Sequence, residues 1–113
     1  MNVVTLEVAS REKSNRRFLS AFKGKSEGAF ISFESPALLF RVFSGKRWDL
    51  LKAMAGAGPI TIREAARLAG RDVKAVHGDV QSLLKAGILQ KTDTGKVVFP
   101  FDAVHVDFMV NVA

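Results

Sequence analysis

Apolar residues follow helical spacing in the middle of the chain and strand spacing towards its two ends. Between residues 61 and 89, two short segments carry apolar residues three or four positions apart. The apolar face expected for the first segment consists of Ile62, Ala65, Ala66, Leu68 and Ala69. Thr61 with Glu64 three residues later is a capping box, and Gly70 can end a helix in the left-handed conformation. Asp72 is suited to begin the next helix as its N-cap. The pattern predicts two short helices joined by a tight turn.

The second of these helices has an apolar face and a polar face. The residues expected to point inward are Val73, Val76, Val80, Leu83 and Leu84. The residues on the opposite side are Lys74, His77, Gly78, Gln81 and Lys85. Gly78 costs about 1 kcal/mol relative to alanine in mid-helix. Either the close approach of a DNA backbone or a close contact with another helix would explain it.

A small hairpin is predicted directly after this helix. Thr92-Asp93-Thr94-Gly95 separates two short apolar runs, and an Asp-x-Gly turn between such runs is typical of a hairpin. Lys91 and Lys96 flank the turn. They lie where the wing of a winged helix touches phosphates, although ordinary solvated lysines would give the same pattern.

The two ends of the chain are predicted to form strands. Residues 2–8 and 28–34 are strand candidates, separated by a strongly basic helix over residues 10–23 that either contacts a DNA backbone or is merely solvated. Residues 101–113 alternate as one long strand, which needs a partner in the same chain or in a second subunit. We expect that strand to build a dimer through Val104, Val106, Phe108 and Val110.

Two further helices are predicted between the front strands and the two-helix segment. Ser35 and Pro36 begin a nearly all-apolar helix that should be buried. Residues 46–55 are predicted to form the next helix, with Leu50 beside a core-spaced set of Trp48, Leu51, Met54 and Ala55. The predicted class is α+β: a winged helix-turn-helix over residues 35–100, with an added strand-helix-strand element at 1–34 and the C-terminal strand at 101–113, forming one compact domain.

Composition narrows the choice of partner. The 113 residues carry a net charge of +6, but residues 101–113 hold two acids and no cation. A basic body suits a polyanion such as nucleic acid. The absence of cysteine excludes disulfides and thiolate metal sites and fits a cytoplasmic protein. No apolar run reaches the roughly 20 residues of a membrane helix, so we expect no membrane partner.

The sequence also resembles a known family. The resemblance covers about residues 29–110. Its most specific pieces are Lys46-Arg47, Gly70-Arg71-Asp72-Val73-Lys74, Val76-His77, Asp79-Val80 and Pro100-Phe101-Asp102. They are similar to small predicted transcriptional regulators of bacteria and archaea with a MarR-like winged helix, often DNA-binding antitoxins. The resemblance implies a repressor that binds double-stranded DNA at its own operator and neutralises a cognate toxin. The family pattern often has a basic residue where this chain has Gly78, and often an asparagine where it has Ala75.

Three other classes of function compete with DNA binding. Catalysis is not expected, because the two histidines lie in different elements without a carboxylate constellation, and no cofactor or metal site is predicted. RNA readers display aromatic residues for stacking, whereas the phenylalanines here have core spacing. A winged-helix protein–protein module is the main alternative to a DNA-binding homodimer, and the cationic outer face argues against it. The residues expected to contact DNA are Thr61, Arg63, Arg71, Lys74, Ala75, His77, Gly78, Gln81, Lys85, Lys91, Thr94 and Lys96.

Overall fold

The computed structural model describes residues 2–8 and 29–109. The described elements are β1 (Val3–Val8), β2 (Ala29–Phe33), α1 (Pro36–Val42), α2 (Gly45–Met54), α3 (Ile62–Ala69), α4 (Val73–Ala86), β3 (Gln90–Lys91), β4 (Val97–Val98) and β5 (Ala103–Asp107). This mixture of helices and small sheets confirms the α+β class. The basic helix expected over residues 10–23 lies outside the described residues.

The chain divides into two compact units. One comprises residues 1–41 and 103–113, and the other comprises residues 42–102. The first unit therefore joins the two ends of the chain, and the second is continuous in sequence.

The first unit contains a three-stranded sheet in the order β2-β1-β5, in which both neighbours run parallel to β1. Leu6 pairs with Ile31 on one side and with Val106 on the other, and the side chain of Leu6 is fully buried. The C-terminal strand therefore finds its partner within the same chain. It ends at Asp107, earlier than the predicted long strand, and residues 110–113 lie outside the described part.

The helix after Pro36 is buried on one side only, so the expectation that it should be buried is wrong for its other side. In α1 the buried residue is Leu39, whereas Phe40 is 58% exposed. Seven residues make only about two turns, so the helix packs along one side. The ring of Phe40 meets Phe108 edge to face, with the ring centroids 5.7 Å apart.

The second unit places α2, α3 and α4 before an antiparallel hairpin of β3 and β4. Ile60 forms a bridge to Val97: its N–H donates to the Val97 carbonyl at 2.9 Å, and the Val97 N–H donates back at 2.7 Å. Ile60, just before α3, thus lies beside β4 as a one-residue third strand next to the hairpin. The core of the unit is apolar and consists of Phe43, Leu50, Leu51, Met54, Ala65, Ala66, Val76, Val80, Leu83, Ile88, Leu89, Val97 and Phe99.

The predicted helix ends are confirmed in α3 and α4. The Thr61 hydroxyl accepts from the Glu64 N–H at 3.1 Å, and Gly70 has φ 65°. The Asp72 carboxylate accepts from the N–H groups of Lys74 and Ala75 at 3.1 and 3.3 Å. The capping box is only half formed, because the Glu64 carboxylate accepts from the Arg67 guanidinium instead of returning to Thr61.

Two apolar residues beside the α3–α4 turn are not in the core as expected. Leu68 is 41% exposed near the end of α3, and Val73 is 43% exposed at the first position of α4. Leu68 lies at the C-terminal end of α3 and Val73 at the N-terminal end of α4, both next to the turn. The buried alanines of α3 and the buried valines of α4 lie farther from the turn.

Candidate nucleic-acid interface

Apart from Val73 at its first position, helix α4 separates its buried and exposed residues as its periodicity predicts. Val76, Val80 and Leu83 are fully buried, whereas the five residues of the predicted outer face are all exposed. Those five are Lys74, His77, Gly78, Gln81 and Lys85. Ala75 is exposed as well.

Four of these residues form a narrow row along the helix, which we call the α4 row: Lys74, Gly78, Gln81 and Lys85. At about 100° per residue they fall within a stripe of roughly 60°, and at 1.5 Å per residue the row is about 16 Å long. Within the described residues, neither lysine side chain forms a hydrogen bond or ion pair. The row therefore presents two uncommitted ammonium groups and one amide to solvent.

Gly78 leaves a gap in the middle of this row. A Cβ built on Gly78 would meet nothing within 4 Å. Close packing against another described helix therefore does not explain this glycine. Its backbone conformation does not require glycine either, because its φ is not positive.

The hairpin supplies a second group of exposed cations. Lys91 and Lys96 are exposed on either side of a turn that Gly95 closes with φ 81°. The Thr92 N–H donates to the Lys96 carbonyl at 2.8 Å, and the Thr92 hydroxyl lies 3.0 Å from the hydroxyl of Thr94. The turn is thus held by hydrogen bonds of its backbone and threonine hydroxyls, and neither lysine side chain takes part in them.

A different arrangement holds α4 from the side. Asp79 lies between two arginines: Arg47 Nε donates to its Oδ1 at 3.0 Å, and Arg71 Nη1 lies 2.8 Å from its Oδ2. Arg47 also donates to the carbonyl of Val42 at 2.8 Å and to the hydroxyl of Ser82 at 3.2 Å. We call Arg47, Asp79 and Arg71 the arginine clamp. It joins the start of α2, the α3–α4 turn and the middle of α4.

The clamp fixes the charge of Asp79. Burial alone would raise the pKa of this carboxyl group, but the hydrogen bonds and positive charges of Arg47 and Arg71 outweigh it and hold the pKa below its ordinary value. All three side chains are less than a quarter exposed. Asp79 is therefore ionised at neutral pH and neutralises much of the arginine charge beside it.

The clamp commits the Arg71 side chain to a contact within the protein. The sequence predicts that Arg71 contacts phosphate, but in the structure this side chain is paired with Asp79 and is only 19% exposed. A phosphate contact by Arg71 stays a prediction, and it would have to compete with Asp79. Arg47 and Asp79 were not predicted as site residues, although both lie in segments that carry the family resemblance.

The remaining predicted contact residues lie on exposed surfaces. Thr61, Arg63 and Thr94 are all exposed, although the Thr61 hydroxyl is occupied in capping α3. Of the residues expected to form a dimer, Val106 is 40% exposed, Val104 and Phe108 are half-buried, and Val110 lies outside the described residues.

The described residues contain neither a metal-binding cluster nor a membrane-spanning helix. No group of three or more histidine and carboxylate side chains there is arranged to hold a metal ion. Among the same residues, no helix combines the length and the apolar character needed to cross a membrane.

Fold and site together define an α+β protein whose central helix displays a basic row to solvent. The chain belongs to the HVO_A0114 family, whose sequence profile matches residues 42–106. The match covers the whole second unit and extends into β5. Searches of curated proteins and of solved structures returned no match.

Proposed function

We propose that the second unit is a winged helix-turn-helix that binds double-stranded DNA. In this proposal α3 and α4 are the helix-turn-helix, α4 is the recognition helix, and the β3–β4 hairpin with Ile60 is the wing. The order of elements, three helices followed by a hairpin, supports the assignment. The observation that carries it is the α4 row: an exposed stripe of cations and an amide directly opposite the buried valines.

The row has the dimensions and chemistry that a major groove accepts. One α-helix fits the groove, and side chains near its N-terminal end reach base edges. Lys74 can donate to guanine O6 or N7, and Gln81 can make a bidentate contact with adenine. Lys91 and Lys96 are free to contact phosphates beside the groove, which would release counterions and make binding salt-dependent.

The positions of the acidic residues near α4 favour a nucleic acid over a basic protein as the binding partner. Asp72 is occupied in capping the helix, and Asp79 is held in the arginine clamp. Neither carboxylate is displayed with the α4 row. A phosphate backbone approaching the row would therefore meet lysine without a competing acid on the same face.

We propose further that the protein acts as a homodimeric transcriptional regulator. One recognition helix covers a half-site, so a two-fold dimer with half-sites about one helical turn apart is expected. Strand β5 is an edge of its sheet, and Val106 is exposed on it. Val106→Lys should shift the dimer to monomer in light scattering. An unchanged dimer would exclude this edge as the interface.

The role as antitoxin of a toxin–antitoxin operon comes from the family resemblance alone. No residue described above distinguishes an antitoxin from another regulator. Co-expression with the product of the neighbouring gene tests it: neutralisation should require this protein, and an undiminished toxic effect would contradict the role.

Selection from a pool of random duplex DNA tests the proposed function. The native chain should enrich a defined sequence, and the Lys74→Ala/Gln81→Ala variant should lose that enrichment. Lys52→Ala is the matched control, because Lys52 is an exposed lysine in the last turn of α2 and should leave the selected sequence unchanged. If the native chain enriches no sequence, the DNA-binding proposal fails.

A further inference from the structure

Gly78 is the least explained residue of α4. It lies in the interior of a 14-residue helix, where glycine is unfavourable relative to alanine. It is not at a helix end, it does not need a positive φ, and no neighbour within 4 Å would obstruct a methyl group. Nothing within the described part of the chain therefore requires its missing side chain.

The position of Gly78 around the helix axis indicates that the requirement for glycine comes from a ligand on the exposed side of α4. Gly78 lies between about 140° and 160° around the axis from each of Val76, Val80 and Leu83, so it occupies the outermost line of α4. Lys74 precedes it by about 6 Å along the axis and Lys85 follows it by about 10 Å. The backbone of α4 therefore carries no side chain at the point where a ligand in contact with both lysines would approach the helix.

We propose that Gly78 is a specificity-determining residue at which the backbone of α4 rests on the floor of the major groove, against the C5-methyl group of a thymine. The inference depends on the DNA-binding function proposed above and names the contact at its centre. Among the four bases, thymine alone presents a methyl group in the major groove. A gap without a side chain gains most contact from a group that projects into it, whereas a flat base edge would leave the gap unfilled.

A second protein chain is a weaker explanation of the gap. Two α4 helices crossing at Gly78 would bring the lysines of both rows together without an acid to separate them, and like charges in contact are unfavourable. DNA provides negative charge on both sides of the groove, which suits a glycine flanked by cations.

The first test compares two glycine-to-alanine variants. Gly78→Ala should raise the thermal midpoint, since alanine favours the helix, yet lower affinity for the selected duplex at least tenfold. Gly45→Ala is the matched control: Gly45 is also helical, and a Cβ there would also meet nothing within 4 Å. This control should not lose stability and should bind DNA like the native chain.

The second test removes the methyl group from the DNA instead. Each thymine of the selected half-site is replaced in turn by deoxyuridine, and both the native chain and Gly78→Ala are titrated. At one position, deoxyuridine should restore most of the affinity that Gly78→Ala lost, because the added and the removed methyl group occupy the same space. If no position restores it, the thymine contact is wrong.

Other outcomes separate this inference from the proposed function. If the native chain binds a selected duplex and Gly78→Ala binds it equally well, the inference fails and DNA binding stands. If the native chain binds no duplex, both fail. If Gly78→Ala changes the oligomeric state in light scattering without a change in DNA affinity, the glycine serves a contact between chains and the inference is overturned.

Discussion

Two groups of basic residues on and around α4 differ in what holds them. The arginines of the clamp surround Asp79 and are mostly buried, whereas the lysines of the α4 row and of the hairpin are exposed and have no partner among the described residues. The arginine charges are largely neutralised by Asp79 within the protein, whereas the lysine charges remain accessible to solvent or a ligand. Net charge alone therefore does not show which cations are available for binding.

The difference predicts opposite effects of mutation. Changes in the clamp should alter stability because they uncover buried charge. Changes in the lysine groups should leave stability nearly unaltered and weaken DNA binding.

Asp79→Ala should have the largest effect. It leaves Arg47 and Arg71 partly buried without their carboxylate, and we expect a loss of about 3 kcal/mol in the free energy of unfolding. Urea denaturation followed by circular dichroism measures this loss. The matched control is Asp49→Asn, because Asp49 is exposed in α2 and should change stability little. Equal losses in the two variants would contradict a structural role for the clamp.

The stabilisation from Asp79 should depend on pH with a definite sign. Its pKa is lower in the folded protein, so its contribution is present above the unfolded pKa and is lost as the pH falls through the folded value. The native chain should therefore exceed Asp79→Asn in stability at pH 7, and the gap should narrow progressively as the pH falls below about 4. Denaturation at a series of pH values measures it, and a gap that is constant down to pH 2 would refute this origin.

Lys91→Ala should act on DNA binding and not on folding. Removing one phosphate contact should weaken all duplexes alike and reduce the slope of log affinity against log salt by about one. Fluorescence anisotropy at several salt concentrations measures the slope. Lys52→Ala again serves as control. A loss of affinity with an unaltered slope would mean that Lys91 does not contact phosphate.

Arg67→Ala should have the smallest effect, although Arg67 also pairs with a carboxylate. Its partner Glu64 is one turn away on the same helix, and both side chains are exposed. Solvent screens such a pair, so the urea midpoint should stay within measurement error of the native value. A shift approaching that of Asp79→Ala would erase the distinction between buried and exposed pairs.

Local features of the fold could be predicted from sequence. Thr61, Gly70 and Asp72 act on backbone groups within a few residues of themselves, so their effects are visible in the sequence nearby. The two faces of α4 follow from helical periodicity in the same way. Val73 and Leu68 were misplaced because periodicity gives direction around a helix but not where the core ends along it.

The arginine clamp could not be predicted in this way. Asp79 lies 32 residues from Arg47, and the contact depends on how α2 and α4 pack. The parallel pairing of β5 with β1 likewise joins opposite ends of the chain, so alternation predicted the strand and not its partner. Both contacts depend on the tertiary packing of distant segments, which local sequence patterns do not specify.

The amide NMR signals of α4 and of the hairpin report whether these two elements contact DNA together. A duplex enriched by the native chain is titrated into ¹⁵N-labelled protein. The amide signals of residues 74–85 and 91–96 should shift together, while those around Lys52 stay in place. Signals of α4 and the hairpin that do not move at saturating duplex, or shifts confined to other segments, would contradict the account.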